Sequence, residues 1–303
     1  MDAAAPPSTV GDALDWAKDR LAAAGLTAPA LDTELLLSNV LGVPRLDLYS
    51  RREAMLAAAD IAKFAGLVCR REQHEPVQYI LGTTAFHGIN LEVGPGVLVP
   101  RPETEILVEL VLAVTPSGGA VLDLGTGSGA IALAIAAARP DLQVTGIDAS
   151  PEALAWATRN RNRLGPNGRV ELLPGNLFSP MTGRKFDVIA ANLPYIREDE
   201  KPALPCEVRN WEPETSLFAG TDGLTAIRRT IAEALTYLHP DGALFLEIAP
   251  AQREAVAAMA QDQGVRICRF HDDLTGRLRF AELRWRGNLT SVQIAIIMDA
   301  GGD

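Results

Sequence analysis

A chain of 303 residues, 48% hydrophobic and 22% charged, carries enough apolar material for two cores and none of the polar bias of a disordered chain. Its formal charge of −10 excludes a general attraction to phosphate backbones, and no apolar run approaches the roughly 18–20 residues that span a bilayer. Three scattered cysteines (Cys69, Cys206, Cys268) offer no disulfide framework, and the four histidines show no metal-ligand spacing, so reduced thiols and no metal site are expected. Met1 to Gly11 lack the basic cluster and apolar stretch of a secretory signal, so a cytoplasmic location and no membrane partner are expected.

In chain order, Val10, Leu14, Ala17 and Leu21 recur at helical spacing after Ser8-Thr9 and predict a helix over residues 9–25, stopped by Gly25. A second helix is predicted over 30–41, where Leu31, Leu35, Leu36 and Val40 form the apolar face and Gly42 and Pro44 end it. A third covers 56–73. Short turns between them make residues 1–82 a small helical bundle. Ala85-Phe86-His87 and Ile89 to Val93 flank Gly88 and predict a β-hairpin within a linker of residues 83–95.

Beyond the linker, apolar runs at 120–124, 143–147, 170–173, 186–191 and 243–248 alternate with helical patterns. That alternation predicts a doubly wound, mostly parallel α/β sheet over residues 96–285, with helices on both faces. Segments 265–270 and 278–285 follow without a helix between them and read as an antiparallel edge. Residues 286–303 carry no structural assignment.

The run Val121-Leu122-Asp123-Leu124 passes straight into Gly125-Thr126-Gly127-Ser128-Gly129 and then a helix over 130–138. Glycines at this place let the backbone turn sharply and approach a ligand at the carboxyl edge of the sheet. Asp148, at the end of the next strand, is placed to accept from both hydroxyls of an adenosine ribose. NAD would suit the same layout, but Gly-x-Gly-x-Gly is not the dinucleotide spacing. Asp123 beside the turn would also repel a pyrophosphate and suit the amino group and sulfonium of S-adenosylmethionine.

After the strand at 186–191 comes Asn192-Leu193-Pro194-Tyr195. The Asn192 side-chain carbonyl and the Leu193 backbone carbonyl, the latter restrained by Pro194, are two acceptors for one NH₂ group. A planar NH₂ is a poor nucleophile because its lone pair is delocalised. It needs orientation toward the methyl donor and stabilisation of the charge that grows on nitrogen. Tyr195 is placed to stack on the flat group. A bare turn would use the same residue types, but position beyond a cofactor-type loop favours methyl transfer to an amide, adenine or cytosine NH₂.

These residues resemble the HemK-type family of release factor glutamine methyltransferases over nearly the whole chain. The matching stretches are Leu31 to Leu37, Glu75 to Gly82, Val99 to Glu105, Asp123 to Gly129, Asp148, Asn192 to Tyr195, Phe218 to Leu224 and Leu246-Glu247-Ile248. The resemblance implies a class I, Rossmann-like methyltransferase that passes a methyl from S-adenosylmethionine, leaving S-adenosylhomocysteine, to the glutamine amide of the Gly-Gly-Gln motif of class I release factors. It further implies cofactor contacts from Gly125, Thr126, Gly127, Ser128, Gly129, Asp148, Asn176, Leu177 and Asn192. Substrate contacts would come from Asn192, Leu193, Pro194 and Tyr195, with Arg101 and Glu103 beside the site. A monomer with no direct nucleic acid partner is expected, the helical region serving to recognise the release factor.

Glu247 is left outside the site, since a basic neighbour would account for it. Two positions depart from the family pattern. Leu193 stands where proline is usual, and Asn176 where aspartate is usual. The alternative reading, methylation of adenine or cytosine in RNA or DNA, is opposed by the acidic charge.

Overall fold

The computed structural model describes residues 8–165 and 168–286. The chain divides into two compact units. One is helical and built on the residues up to Thr84, with Val93–Pro95 and Leu204–Glu212; the other takes Ala85–Glu92, Gly96–Ala203 and the residues from Pro213 on.

The helical unit contains α1 (Val10–Ala23), α2 (Pro29–Leu41), α3 (Asp47–Ser50), α4 (Ala58–Glu72), α5 (Val77–Leu81) and, from much later in the chain, α9 (Cys206–Trp211). Thr9 caps α1: its hydroxyl accepts from the Asp12 N–H at 3.1 Å, while the Asp12 carboxylate accepts from the Thr9 N–H at 3.0 Å. Pro29 opens α2, and Gly42 closes it in the left-handed conformation. Leu14, Leu21, Leu36, Leu37, Phe64 and Val68 form the core.

Into the same unit is buried Arg71. Its guanidinium donates to Asp32 at 2.7 Å, to Glu207 at 2.6 Å and to the Glu75 carbonyl at 2.9 Å. Sequence reading placed Leu204–Glu212 with the catalytic residues. The structure groups it with the helices, where Glu207 meets Arg71 across 136 positions of chain.

β1 (Thr83–Phe86) and β2 (Ile89–Glu92) form the expected two-stranded sheet, turned at His87 and Gly88, both at positive φ. The larger unit then runs α6 (Glu105–Val114), β3 (Ala120–Leu124), α7 (Ala130–Ala138), β4 (Gln143–Asp148), α8 (Pro151–Leu164), β5 (Val170–Pro174) and β6 (Phe186–Ala191). It continues with α10 (Thr225–Tyr237), β7 (Leu238–Glu247), α11 (Arg253–Asp262), β8 (Ile267–Asp272) and β9 (Leu278–Arg284).

The seven strands lie in the order β5-β4-β3-β6-β7-β9-β8. The first five are parallel, and β9 runs antiparallel to both β7 and β8, as the sequence pattern predicts. Both faces are covered: Val121, Val188 and Ala190 pack with α6 and α7 residues on one side, Leu122, Ile189 and Ala191 with α10 and α11 residues on the other. Burial on two faces is why these strands read as unbroken apolar runs. The strand order reverses between β3 and β6, the crevice where ligands of such sheets bind. Among the described residues no helix is long and apolar enough to cross a membrane.

Candidate active site

At the carboxyl ends of β3 and β6 opens a cavity of about 470 Å³, formed within the larger unit. Gly125 to Ser128 line one wall, Asp148 and Asn176-Leu177 another, and Asn192-Leu193-Pro194 with Arg101 and Thr104 a third. Its size falls within the roughly 300–1,000 Å³ of small-molecule sites.

The first wall is shaped by glycine. Gly125, Gly127 and Gly129 have φ of +71°, +58° and +83°, a region that costs other residues strain. A Cβ on Gly129 would stand 2.9 Å from Leu133 Cδ1, and one on Gly125 would stand 3.1 Å from Leu193 Cδ2, so the turn and the β6 loop are packed together. The N–H groups of Gly125 and Thr126 both donate to the Ile147 carbonyl at 2.9 Å, tying the turn to β4.

Asp148 closes β4 and lines the cavity. One of its oxygens accepts from the Gly127 N–H at 2.8 Å, the other from the Ser150 N–H at 2.9 Å. Burial pushes its carboxyl above the ordinary range, and these N–H groups oppose that shift. Each carboxylate oxygen has a second lone pair, so both retain acceptor capacity.

Asp123, expected beside the ligand, is fully buried and does not line the cavity. It accepts from the Thr126 hydroxyl at 2.6 Å and the Ala132 N–H at 3.1 Å, bracing the turn from within. Its other oxygen has no hydrogen-bond partner, and burial pushes the carboxyl up to about 7.

Asn176 and Leu177 reach the cavity from the β5 end. The Asn176 carbonyl accepts from Arg229 at 3.3 Å. Leu177 has φ of +54°, a strained conformation for a branched side chain.

In the third wall the Asn192 Nδ2 donates to the Thr104 hydroxyl at 3.1 Å, and Thr104 donates to Glu247 Oε2 at 2.7 Å. The Tyr195 ring, expected to stack on the substrate, does not line the cavity but packs against the core, and its hydroxyl donates to Glu247 Oε1 at 3.3 Å. Burial, with the adjoining Glu247 carboxylate, holds that phenol above its usual range. Glu103 also stays off the cavity wall, although Arg101 lines it.

Glu247, set outside the site on the expectation of a basic neighbour, is instead held by the hydroxyls of Thr104 and Tyr195, and Thr104 and Gln252 carry no signal in the sequence. The Gln252 amide donates to the backbone carbonyls of Tyr195 at 2.9 Å and Gly223 at 3.0 Å, clamping two loops together. Gly223 is obligatory there, since a Cβ would collide with the Tyr195 carbonyl.

A doubly wound parallel sheet with a glycine turn after β3, a carboxylate closing β4 and Asn-Leu-Pro-Tyr after β6 around one cavity defines a class I methyltransferase. Residues 116–281 match the methyltransferase domain family, and residues 12–82 match the PrmC N-terminal domain. The chain is 42% identical over 268 residues to the release factor glutamine methyltransferase of Geobacter sulfurreducens, spanning 88% of this chain and 94% of that protein. The protein of the same name from Caulobacter vibrioides is 41% identical over 261 residues, 86% of this chain and 90% of its own. That from Agrobacterium fabrum is 38% identical over 283 residues, 91% and 98% respectively. The chain belongs to the release factor glutamine methyltransferase family.

Proposed function

We propose that this protein transfers a methyl group from S-adenosylmethionine to the side-chain amide of the glutamine in the Gly-Gly-Gln motif of peptide chain release factors. The supporting observation is that one cavity joins the glycine turn and Asp148 to the acceptors of Asn192 and Leu193. The family membership supplies the substrate.

The residues fit S-adenosylmethionine. Gly125 and Gly127, both at positive φ, keep Cβ atoms off the cavity wall, whereas Gly129, expected to touch the cofactor, stands off that wall and packs against Leu133. Asp148 keeps an acceptor position on each oxygen for the ribose hydroxyls. Asn176 and Leu177 would border the adenine. When bound, the cofactor supplies a methyl group activated on a sulfonium.

The chain's own part is orientation and charge stabilisation. The Asn192 Oδ1 and the Leu193 carbonyl accept from the two hydrogens of the glutamine NH₂, turn its nitrogen toward the methyl donor, and stabilise the positive charge that develops there until the nitrogen releases one of those hydrogens as a proton to water. Pro194 restrains the Leu193 carbonyl, which leucine itself supplies as well as proline would. Arg101 borders the substrate side. Tyr195 contributes through the hydroxyl it gives to Glu247, not through stacking. Residues 1–82 are assigned to release factor recognition, because a glutamine side chain alone is too small to select one site among many.

Mass spectrometry of release factor incubated with the enzyme and methyl-labelled S-adenosylmethionine tests this, with RNA and DNA as controls. The label is expected on the Gly-Gly-Gln glutamine. Label on nucleic acid, or on another residue of the factor, would overturn the reading.

A further inference from the structure

An asparagine amide has two edges of nearly equal shape, one an acceptor and one a donor, and its hydrogen-bond partners decide which faces where. For Asn192 to accept from a substrate NH₂, Oδ1 has to be the edge turned to the cavity. Its Nδ2 donates to the Thr104 hydroxyl, which has a single hydrogen and gives it to Glu247. An ionised carboxylate only accepts, so Thr104 meets Asn192 with a lone pair, and only the NH₂ edge of the amide satisfies it.

Without that carboxylate the chain can run backward. The Thr104 hydrogen could turn to Asn192, the amide would flip to receive it, and an NH₂ would face the substrate NH₂ donor to donor.

We propose that Glu247 is a positioning residue: acting through Thr104, it decides which edge of the Asn192 amide faces the cavity. The proposal rests on the amide-methylation reading above. Glu247 is 2% exposed, and its two oxygens accept from the hydroxyls of Thr104 and Tyr195. A neutral glutamine would satisfy both hydroxyls with less desolvation, but it would not force the direction of the chain.

The charged and titratable groups around it are Tyr195 after β6, Arg279 on β9, and Glu103 in the turn before α6. Arg279 is held by Asp273 at 3.1 Å, and Arg101 acts on Tyr195. Burial and Glu103 raise the Glu247 carboxyl above its ordinary range, while Thr104, Arg279 and Tyr195 oppose the rise. The orientation is therefore lost on the acid side, as Glu247 takes up a proton.

The experiment compares the full-length enzyme with Glu247→Gln, Thr104→Val and Thr104→Ser. Single-turnover methylation of whole release factor is followed across pH, and the Asn192 side-chain amide is observed by nitrogen NMR, its signal assigned by its loss in Asn192→Asp. Glu247→Gln and Thr104→Val should each slow transfer about tenfold or more, and Thr104→Ser should recover most of what Thr104→Val loses. The Asn192 signal should move with the acid limb of the wild-type rate. Both responses should vanish in Thr104→Val and persist in Glu103→Gln. If Glu247→Gln does not fold, Thr104→Val decides the matter.

A folded Thr104→Val with the wild-type rate, or one that keeps the acid limb, would overturn the proposal. So would an Asn192 signal indifferent to Glu247. The NMR measurement needs no substrate, so wild-type enzyme that leaves release factor unmethylated would defeat the functional reading and not this one.

Discussion

The two units bury carboxylates in opposite ways. In the helical unit, Asp32 and Glu207 are held by Arg71, and each donor of the guanidinium fork used has an acceptor. In the larger unit, Glu247 accepts from two hydroxyls, and one of these leads on to Asn192 at the cavity. Burial raises both Asp32 and Glu247, but the largest opposing influence is a cation for Asp32 and a neutral hydroxyl for Glu247. A charge balanced on the spot locks structure. A charge balanced by neutral donors also fixes which way those donors point, and that direction can be passed to a reacting group.

The comparison breaks first at Arg71. Arg71→Ala would leave the buried Asp32 without its cation, and the partly exposed Glu207 without its partner, and should destabilise the protein by about 3 kcal/mol, read by thermal or urea unfolding. Methyl transfer per folded molecule should hardly change. A loss below about 1 kcal/mol, typical of a surface pair, would mean that the network is not structural.

Asp123 tests the intermediate case, a buried carboxylate with one oxygen satisfied and the other not. Its folded value of about 7 lies above the ordinary 3.8, so the fold favours the neutral form. The stability this contributes is complete in acid and is lost as pH rises from about 4 through about 7. Asp123→Asn cannot ionise. Its stability relative to wild type should therefore climb across that window, by on the order of 4 kcal/mol. Parallel stability curves for the two proteins would show that Asp123 is ionised in the fold.

Asp148 sharpens the contrast from the exposed side, since its carboxylate is braced by backbone N–H groups and still faces the cavity. Asp148→Ala should weaken S-adenosylmethionine binding by about 1.5–3 kcal/mol, the range of a hydrogen bond to a charged group, as measured by calorimetric titration. Unchanged affinity in a folded variant would remove Asp148 from the cofactor site.

The smallest effect is expected at Leu193. Leu193→Pro keeps the backbone carbonyl assigned to the substrate but removes side-chain atoms packed beside Gly125, so a stability loss of about 1 kcal/mol and little change in turnover should follow. Complete loss of transfer would show that the leucine side chain itself shapes the site.

Sequence by itself determined what depends on neighbours along the chain. The strands were legible because both-face burial leaves unbroken apolar runs, α1 because Thr9 and Asp12 lie within one turn, and the cofactor-type turn because only glycine accepts its backbone. Asp148 and Asn192 were legible because each follows directly on a strand that ends at the sheet's carboxyl edge.

Only the tertiary structure decided where side chains point and what they meet. Asp123 turns inward to Thr126 and Ala132, and Tyr195 turns away from the cavity to Glu247. Thr104 and Glu247 lie 143 positions apart, Asn192 and Thr104 lie 88 apart, and α9 joins the helices through a partner 136 positions away. No local period encodes such pairings. They exist because the strand order brings β3, β6 and β7 side by side, and a buried polar group then takes whichever partner the packing leaves within reach.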